Sequence, residues 1–224
     1  VLCLASPAAM AGDITAETPS FTMADAEKLT SFGGRTHISP DGKRLVFVDK
    51  SYGDAFELDL KTRKVRNLTS DIPHQGIMRI QYLPSGDFLV TAPHIFNKET
   101  SRAHLEMWVL DKSLRYGLQP LSETVFEGIA VSKTRNRIAW TTIEPALKPG
   151  ENWMLAFARP TKRYVADIVY ERGVPRIANK QEIMTELPPE CSFIEPQDFR
   201  DDDRELVYSC MGHVAKGDFT IGVM

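Results

Sequence analysis

A short hairpin pattern recurs along the sequence and constrains the fold more than any other feature. Its clearest copy is residues 36–49, THISPDGKRLVFVD, an extended segment followed by a polar turn and an apolar run. Pro40 presets the φ that the second turn position needs and Gly42 accepts a positive φ, so residues 39–42 are expected to form a tight turn. The β-branched and aromatic run LVFV at residues 45–48 predicts a strand buried on both faces.

Three further copies of this hairpin set the architecture. They are residues 80–90 (IQYLPSGDFLV), 129–140 (IAVSKTRNRIAW) and 196–208 (PQDFRDDDRELVY), and the aligned turns lie 44, 49 and 68 residues apart. A basal period of about 40–45 residues that holds four short strands is typical of a propeller blade, and the longer intervals then contain loop insertions. The predicted fold is therefore an all-β propeller of four-stranded antiparallel blades.

About four blades are predicted, near residues 36–71, 72–123, 124–187 and 188–224, and the last is incomplete because residues 219–224 only begin its third strand. The chain is therefore expected to be a fragment of a larger ring of roughly six to eight blades, and a monomer when full length. In the third blade, residues 154–158 and 164–170 are predicted as the third and fourth strands. The predicted core between blades is Leu45, Phe47, Leu89, Ile138, Trp140, Leu206 and Tyr208.

Two known families are similar to this sequence. Residues 39–47 (SPDGKRLVF), followed by residues 57–69 (ELDLKTRKVRNLT), resemble the TolB-like (WD40-like) propeller repeat of bacterial periplasmic proteins. Residues 195–209 (EPQDFRDDDRELVYS) resemble a diverged copy of that repeat. Residues 21–48 are also similar to the start of prolyl-oligopeptidase-family enzymes, in which a propeller precedes an α/β-hydrolase domain.

The amino terminus indicates export. Residues 1–11, VLCLASPAAMA, are apolar and then small, with alanines at the −3 and −1 positions of a secretory cleavage site, which predicts a signal peptide remnant and a mature start near Gly12. The alternative is a disordered alanine-rich terminus. Residues 12–35 are interpreted as a leader that contains either a short helix or a closing strand. The expected location is periplasmic or secreted, and there Cys191 and Cys210 form either a disulfide or two buried free thiols.

Polar residues on or beside the first strand of each blade are the candidate ligand-binding set, because that strand lines the central channel of a propeller. Ordinary solvation of the channel is the alternative explanation. The candidates are Arg35, His37, Arg79, Gln81, Glu127, Glu195 and Gln197.

No catalytic residue, cofactor or metal site is predicted. The sequence contains no G-x-S-x-G and no H-E-x-x-H motif. Residues 94–104 and 144–153 are interpreted as solvated hairpin loops, and residues 201–203 (DDD) as a charged turn. A net charge of −3 argues against a nucleic-acid partner, and no apolar run reaches the ~18–20 residues needed to span a membrane.

Two functions remain. The TolB-like resemblance implies a binding or scaffold propeller for a protein or glycan partner in the cell envelope, without catalysis by this segment. The prolyl-oligopeptidase-like resemblance implies instead the propeller domain of a longer serine hydrolase. About 250 additional residues carrying G-x-S-x-G in the full reading frame would distinguish the hydrolase.

Overall fold

The structure, a computed structural model, describes residues 26–148, 151–189, 191–211 and 219–223. The predicted signal peptide remnant and the first part of the leader lie outside the described residues. Residues 26–31 of the leader have neither helix nor strand, so the expected short helix or closing strand is not found there. Residues Phe32–Met224 form a compact unit that contains every described strand.

Four antiparallel sheets follow one another along the chain, and each is built from consecutive strands. Blade 1 contains β1 (Gly34–Ile38), β2 (Arg44–Val48), β3 (Ala55–Asp59) and β4 (Val65–Asn67). Blade 2 contains β5 (Arg79–Tyr82), β6 (Phe88–Pro93), β7 (Leu105–Leu110) and β8 (Leu118–Val125). Blade 3 contains β9 (Ile129–Val131), β10 (Arg137–Ile143), β11 (Thr161–Glu171) and β12 (Val174–Ile183). Blade 4 contains β13 (Phe193–Arg200), β14 (Glu205–Met211) and β15 (Phe219–Val223). This arrangement confirms the predicted all-β partial propeller.

The first hairpin forms for the reasons that its sequence indicates. Gly42 has φ of +68°, and its backbone N–H donates to the Ser39 carbonyl at 2.8 Å. The Ser39 hydroxyl donates to the Asp41 carboxylate at 2.6 Å, which fixes the turn between β1 and β2. Strand β2 then pairs with β3 in a regular register that joins Arg44 to Asp59 and Val48 to Ala55.

The core lies between neighbouring blades. One apolar cluster joins blades 1 and 2 through Val46, Ile80 and Phe88. A larger one joins blades 2 and 3 through residues such as Leu89 and Trp140. Of the seven predicted core residues, Leu45 is only half-buried, and the other six are buried. Each sheet therefore buries its faces against its neighbours, as propeller blades do.

Of the two strands predicted late in blade 3, one is wrong and the other is a strand at a different position in the sheet. Residues 154–158 belong to a 3-10 helix, Trp153–Ala158, whose first turn is capped by Asn152: its side-chain oxygen accepts from the Met154 N–H at 2.9 Å. Residues 164–170 lie in the third strand, β11, and the fourth strand is β12. The apolar residues of the insertion pack into a separate cluster with Phe126 and Phe193, so their spacing serves that cluster and not a sheet.

The two cysteines of blade 4 form a disulfide, with 5.3 Å between the Cα atoms of Cys191 and Cys210. Cys191 precedes β13, and Cys210 lies in β14 opposite Ile194. Both residues are buried, in a small cluster with Ile194 and Tyr208.

Candidate functional site

Neighbouring blades are held together by polar contacts on or near their first strands. The Tyr82 N–H of β5 donates to His37 Nδ1 of β1 at 3.2 Å. The Gln81 side chain of β5 donates to the Ile129 carbonyl of β9 at 2.9 Å. Between blades 3 and 4, the Thr141 hydroxyl donates to the Ile194 carbonyl at 2.6 Å. Gln81 and His37 therefore link neighbouring blades, which leaves their side chains only partly available to a ligand.

A charged cluster forms where these first strands begin. Arg79 Nη2 lies 3.9 Å from Glu127 Oε2 and 4.0 Å from Glu195 Oε1, so one guanidinium from blade 2 sits between carboxylates from blades 3 and 4. Arg102 Nε lies 2.5 Å from Glu127 Oε1, an ion pair without hydrogen-bond alignment. We call Arg35, Arg79, Arg102, Glu127 and Glu195 the arginine–glutamate cluster.

Glu195 is as deeply buried as Glu127, with each residue 7% exposed. Burial raises its pKa above the ordinary value of a glutamate and Glu127 raises it further, whereas Arg79 opposes the shift. Its side chain lies directly against Gly128, where an added Cβ would be 2.4 Å from the Glu195 Cγ. The Gln197 amide donates to Glu195 Oε2 at 3.1 Å. Gly128 and Gln197 thus hold the carboxylate in place beside Arg79.

Arg35 differs from the other arginines of the cluster. Its side chain makes no hydrogen bond or ion pair with the described residues, and it lies at a break in the β1–β2 register with φ of +56°. Burial is the main reason that the pKa of Arg35 is lowered. The Glu127 carboxylate opposes this shift, whereas the guanidiniums of Arg79 and Arg102 add to it, so Arg35 faces both signs of charge. Three guanidiniums face two carboxylates, and the excess positive charge favours an anionic ligand group.

Sequence reasoning missed Arg102. It lies in the short 3-10 helix Ser101–Ala103, within residues 94–104, which were predicted to be a solvated loop. That prediction is right for residues 94–99, which are exposed, but not for Thr100 and Ser101, which are buried. In residues 144–153, Pro145 and Ala146 are exposed as predicted, whereas Leu147 is only 3% exposed. The Arg102 guanidinium stacks over the Trp153 ring at 4.2 Å, so the two insertions together position this arginine. Nothing in the local sequence indicates that pairing.

His37 lies apart from the arginine–glutamate cluster. It lines a cavity of about 230 Å³ with Tyr82, Ser132 and Lys133. Burial lowers the pKa of His37, against an opposing effect of Asp198. Because Nδ1 accepts the Tyr82 N–H, the neutral ring carries its proton on Nε2.

The predicted charged turn and His94 are engaged in contacts within the protein. The buried Asp203 carboxylate accepts from the Ser132 hydroxyl at 2.8 Å and pairs with Arg135 at 2.6 Å, so part of the predicted charged turn connects blades 3 and 4. His94 stacks on Trp108 with 6.0 Å between ring centroids. Within the described residues, no group of three or more histidine, cysteine, aspartate or glutamate side chains is placed to hold a metal ion.

Known structures share this fold. TolB from Acinetobacter baumannii superposes with a TM-score of 0.52 at 20% identity, over 88% of this chain and 42% of that chain. The fold is that of a TolB-like propeller. An acylaminoacyl peptidase from Pyrococcus horikoshii superposes with a TM-score of 0.50 at 12% identity, over 86% of this chain and 30% of that one.

The chain thus spans less than half the length of either of these proteins, and at such identities the likeness concerns the fold alone. No protein-family model matches the sequence, and no curated protein matches it. Among the described helices, none has the length and apolar character needed to cross a lipid bilayer.

Proposed function

We propose that this chain is an exported TolB-like propeller that binds a protein or glycan partner in the cell envelope, and that the arginine–glutamate cluster is its binding site. The observation that carries the proposal is convergence: blades 1, 2, 3 and 4 each contribute a charged side chain to one place. A fold that gathers such groups from four separate repeats gives a ligand several contacts at once.

The charge balance indicates which chemical group would bind. Arg79 and Arg102 are each paired with a carboxylate, whereas Arg35 has no ion-pair partner among the described residues. A carboxylate of the partner, from an acidic side chain or an acidic sugar, would complete the pairing of Arg35. A guanidinium offers such a group two parallel N–H donors, which gives geometric selectivity as well as affinity.

The proposal is tested by capture from the native host. The purified chain is immobilised and exposed to a periplasmic extract and to a solubilised cell-wall glycan fraction, and bound components are identified. A specific component should be retained by the wild type and by Lys64→Ala, which changes an exposed turn residue. The same component should be lost with Arg35→Gln and Arg102→Gln. Equal retention by all four proteins would contradict the assigned site.

A second candidate function is the propeller domain of a longer serine hydrolase. This candidate is supported by the similarity in fold to an acylaminoacyl peptidase, of whose chain 30% is covered. The full reading frame in the native host separates the two functions. A following domain with G-x-S-x-G would favour the hydrolase, and further propeller repeats without that motif would favour the binding propeller.

A further inference from the structure

A second polar cavity lies between blades 1 and 2, next to the arginine–glutamate cluster. Its volume is about 460 Å³, within the range of small-molecule sites. Tyr52 connects the two places: its ring lines the cavity, while its phenol is within electrostatic range of Arg102, Glu127 and Arg35. We call this the Tyr52 cavity.

The backbone around the Tyr52 cavity is closely packed. The Tyr52 N–H donates to the Ile77 carbonyl at 2.9 Å, which joins the β2–β3 loop to the segment before β5. A Cβ on Gly76 would lie 2.5 Å from the Tyr52 carbonyl oxygen, and Gly76 has φ of +94°. A Cβ on Gly53 would lie 1.7 Å from Asp49 Oδ1. These two glycines permit the close approach that forms the wall of the cavity.

One acceptor in this wall is unused. Asp49 Oδ1 is buried and has no hydrogen-bond partner among the described residues. Asp54, by contrast, is fully engaged, because its carboxylate accepts from His74 Nε2 at 3.0 Å and from the Asn67 amide at 2.7 Å. His74 is fixed in turn by the Gly76 N–H, which donates to Nδ1 at 3.0 Å. A buried acceptor without a donor is costly, so Asp49 is suited to receive a donor from a ligand.

The remaining lining groups add an aromatic surface and hydrogen-bond donors. The rings of Tyr52 and Phe96 lie 5.0 Å apart, and Phe96 is 43% exposed. The Phe96 N–H donates to Gln75 Oε1 at 3.5 Å, so the amide N–H groups of Gln75 are available to a ligand. Lys50 contributes an ammonium. The cavity thus offers an acceptor, two kinds of donor and an apolar face.

From this set we infer that the Tyr52 cavity binds a sugar ring of a neutral glycan. Sugar hydroxyls both donate and accept, which matches Asp49 on one side and Gln75 and Lys50 on the other. The C–H face of the ring would pack on the aromatic pair. A cation would be attracted by the Asp49 and Asp54 carboxylates and repelled by Lys50, but it would leave the N–H donors of Gln75 unused, so a cationic ligand fits less well. The inference rests on the proposed function as a binding propeller, and it specifies a glycan as the ligand of a cavity that Arg35 does not line.

The test is titration of the chain with cellobiose, maltose and chitobiose, monitored by calorimetry and by ligand-observed NMR. At least one disaccharide should bind saturably. Phe96→Ala and Asp49→Ala should each weaken that binding about tenfold or more. Asp49→Asn should keep it within about threefold, because the amide oxygen still accepts a hydrogen bond. Ile95→Ala is the matched control, since Ile95 is 75% exposed beside Phe96 and does not line the cavity.

Three outcomes would overturn the inference. They are no saturable binding of any disaccharide, disaccharide binding that Phe96→Ala leaves unchanged, or binding of the cationic probe N-acetyl-lysine amide when no disaccharide binds. A urea unfolding curve for each variant shows that it is folded. Sugar binding that survives Arg35→Gln supports the Tyr52 cavity even if capture at the arginine–glutamate cluster fails, so the two proposals fail separately.

Discussion

Replacing Arg79 with methionine tests whether the arginine–glutamate cluster is held together by charge. The guanidinium lies 3.9 and 4.0 Å from carboxylates whose side chains are each only 9% exposed. At about 4 Å and an effective dielectric constant of about 20, each attraction is worth roughly 4 kcal/mol before the cost of desolvation. Because Arg79 is itself 28% exposed and partly screened, the expected net loss of stability is about 2–3 kcal/mol.

This loss should depend on pH in a defined direction. Burial already raises the pKa of Glu195, and removal of Arg79, which opposes that shift, raises it further. A carboxyl whose pKa is higher in the folded than in the unfolded state stabilises the fold below the unfolded pKa, and this contribution is lost as the pH rises through the folded pKa. Arg79→Met should therefore destabilise the protein more at pH 8 than at pH 5.

The assay is urea unfolding of the wild type and the variant at both pH values, with thermal scans in parallel. At pH 8 the melting temperature should fall by about 5–10 °C. The double variant Arg79→Met/Glu195→Gln should recover part of the loss, because it removes the unpaired carboxylate. Lys64→Ala is the control for a surface change. A loss that is equal at both pH values, or no larger than that of the control, would refute the reasoning.

Three further outcomes are expected, the first two measured by urea or thermal unfolding and the third by the capture assay. Trp140→Ala, at a fully buried residue between blades, should cost about 3–5 kcal/mol, and a cost near that of the surface control would contradict the core assignment. Joint replacement of Cys191 and Cys210 by alanine should cost about 3 kcal/mol, given their separation of 19 residues, and an unchanged midpoint would argue against the disulfide. Gly128→Ala should displace the Glu195 side chain and abolish capture of the partner, and normal capture would show that the position of this carboxylate is unimportant.

The repeat made much of the fold predictable. Alternation, turn chemistry and a period near that of a blade are local properties, so the hairpin at residues 39–42 and the strands of blades 1 and 2 follow from them. Blade 3 was harder because its insertion contains apolar residues that resemble a strand. Trp153 and Phe157 instead pack around Phe126 and Phe193, a contact between distant segments that no local pattern reveals.

The candidate site was predictable only in part, for a related reason. The position of the first strand in each repeat places Arg35, Arg79, Glu127 and Glu195 together, because equivalent positions of neighbouring blades lie side by side. Arg102 comes from an insertion that has no equivalent in the other repeats, so the repeat cannot indicate its position. His37 and Gln81 share the strand position but are used for contacts between blades.

Comparison of Arg35→Gln with the wild type tests the central claim most directly. The Arg35 side chain makes no hydrogen bond or ion pair with the described residues, so its replacement should leave the urea midpoint unchanged. If the arginine–glutamate cluster binds the partner, the affinity for the captured envelope component should fall at least about tenfold, the value of one charge-assisted contact. Unchanged affinity in a variant of unchanged stability would contradict the account.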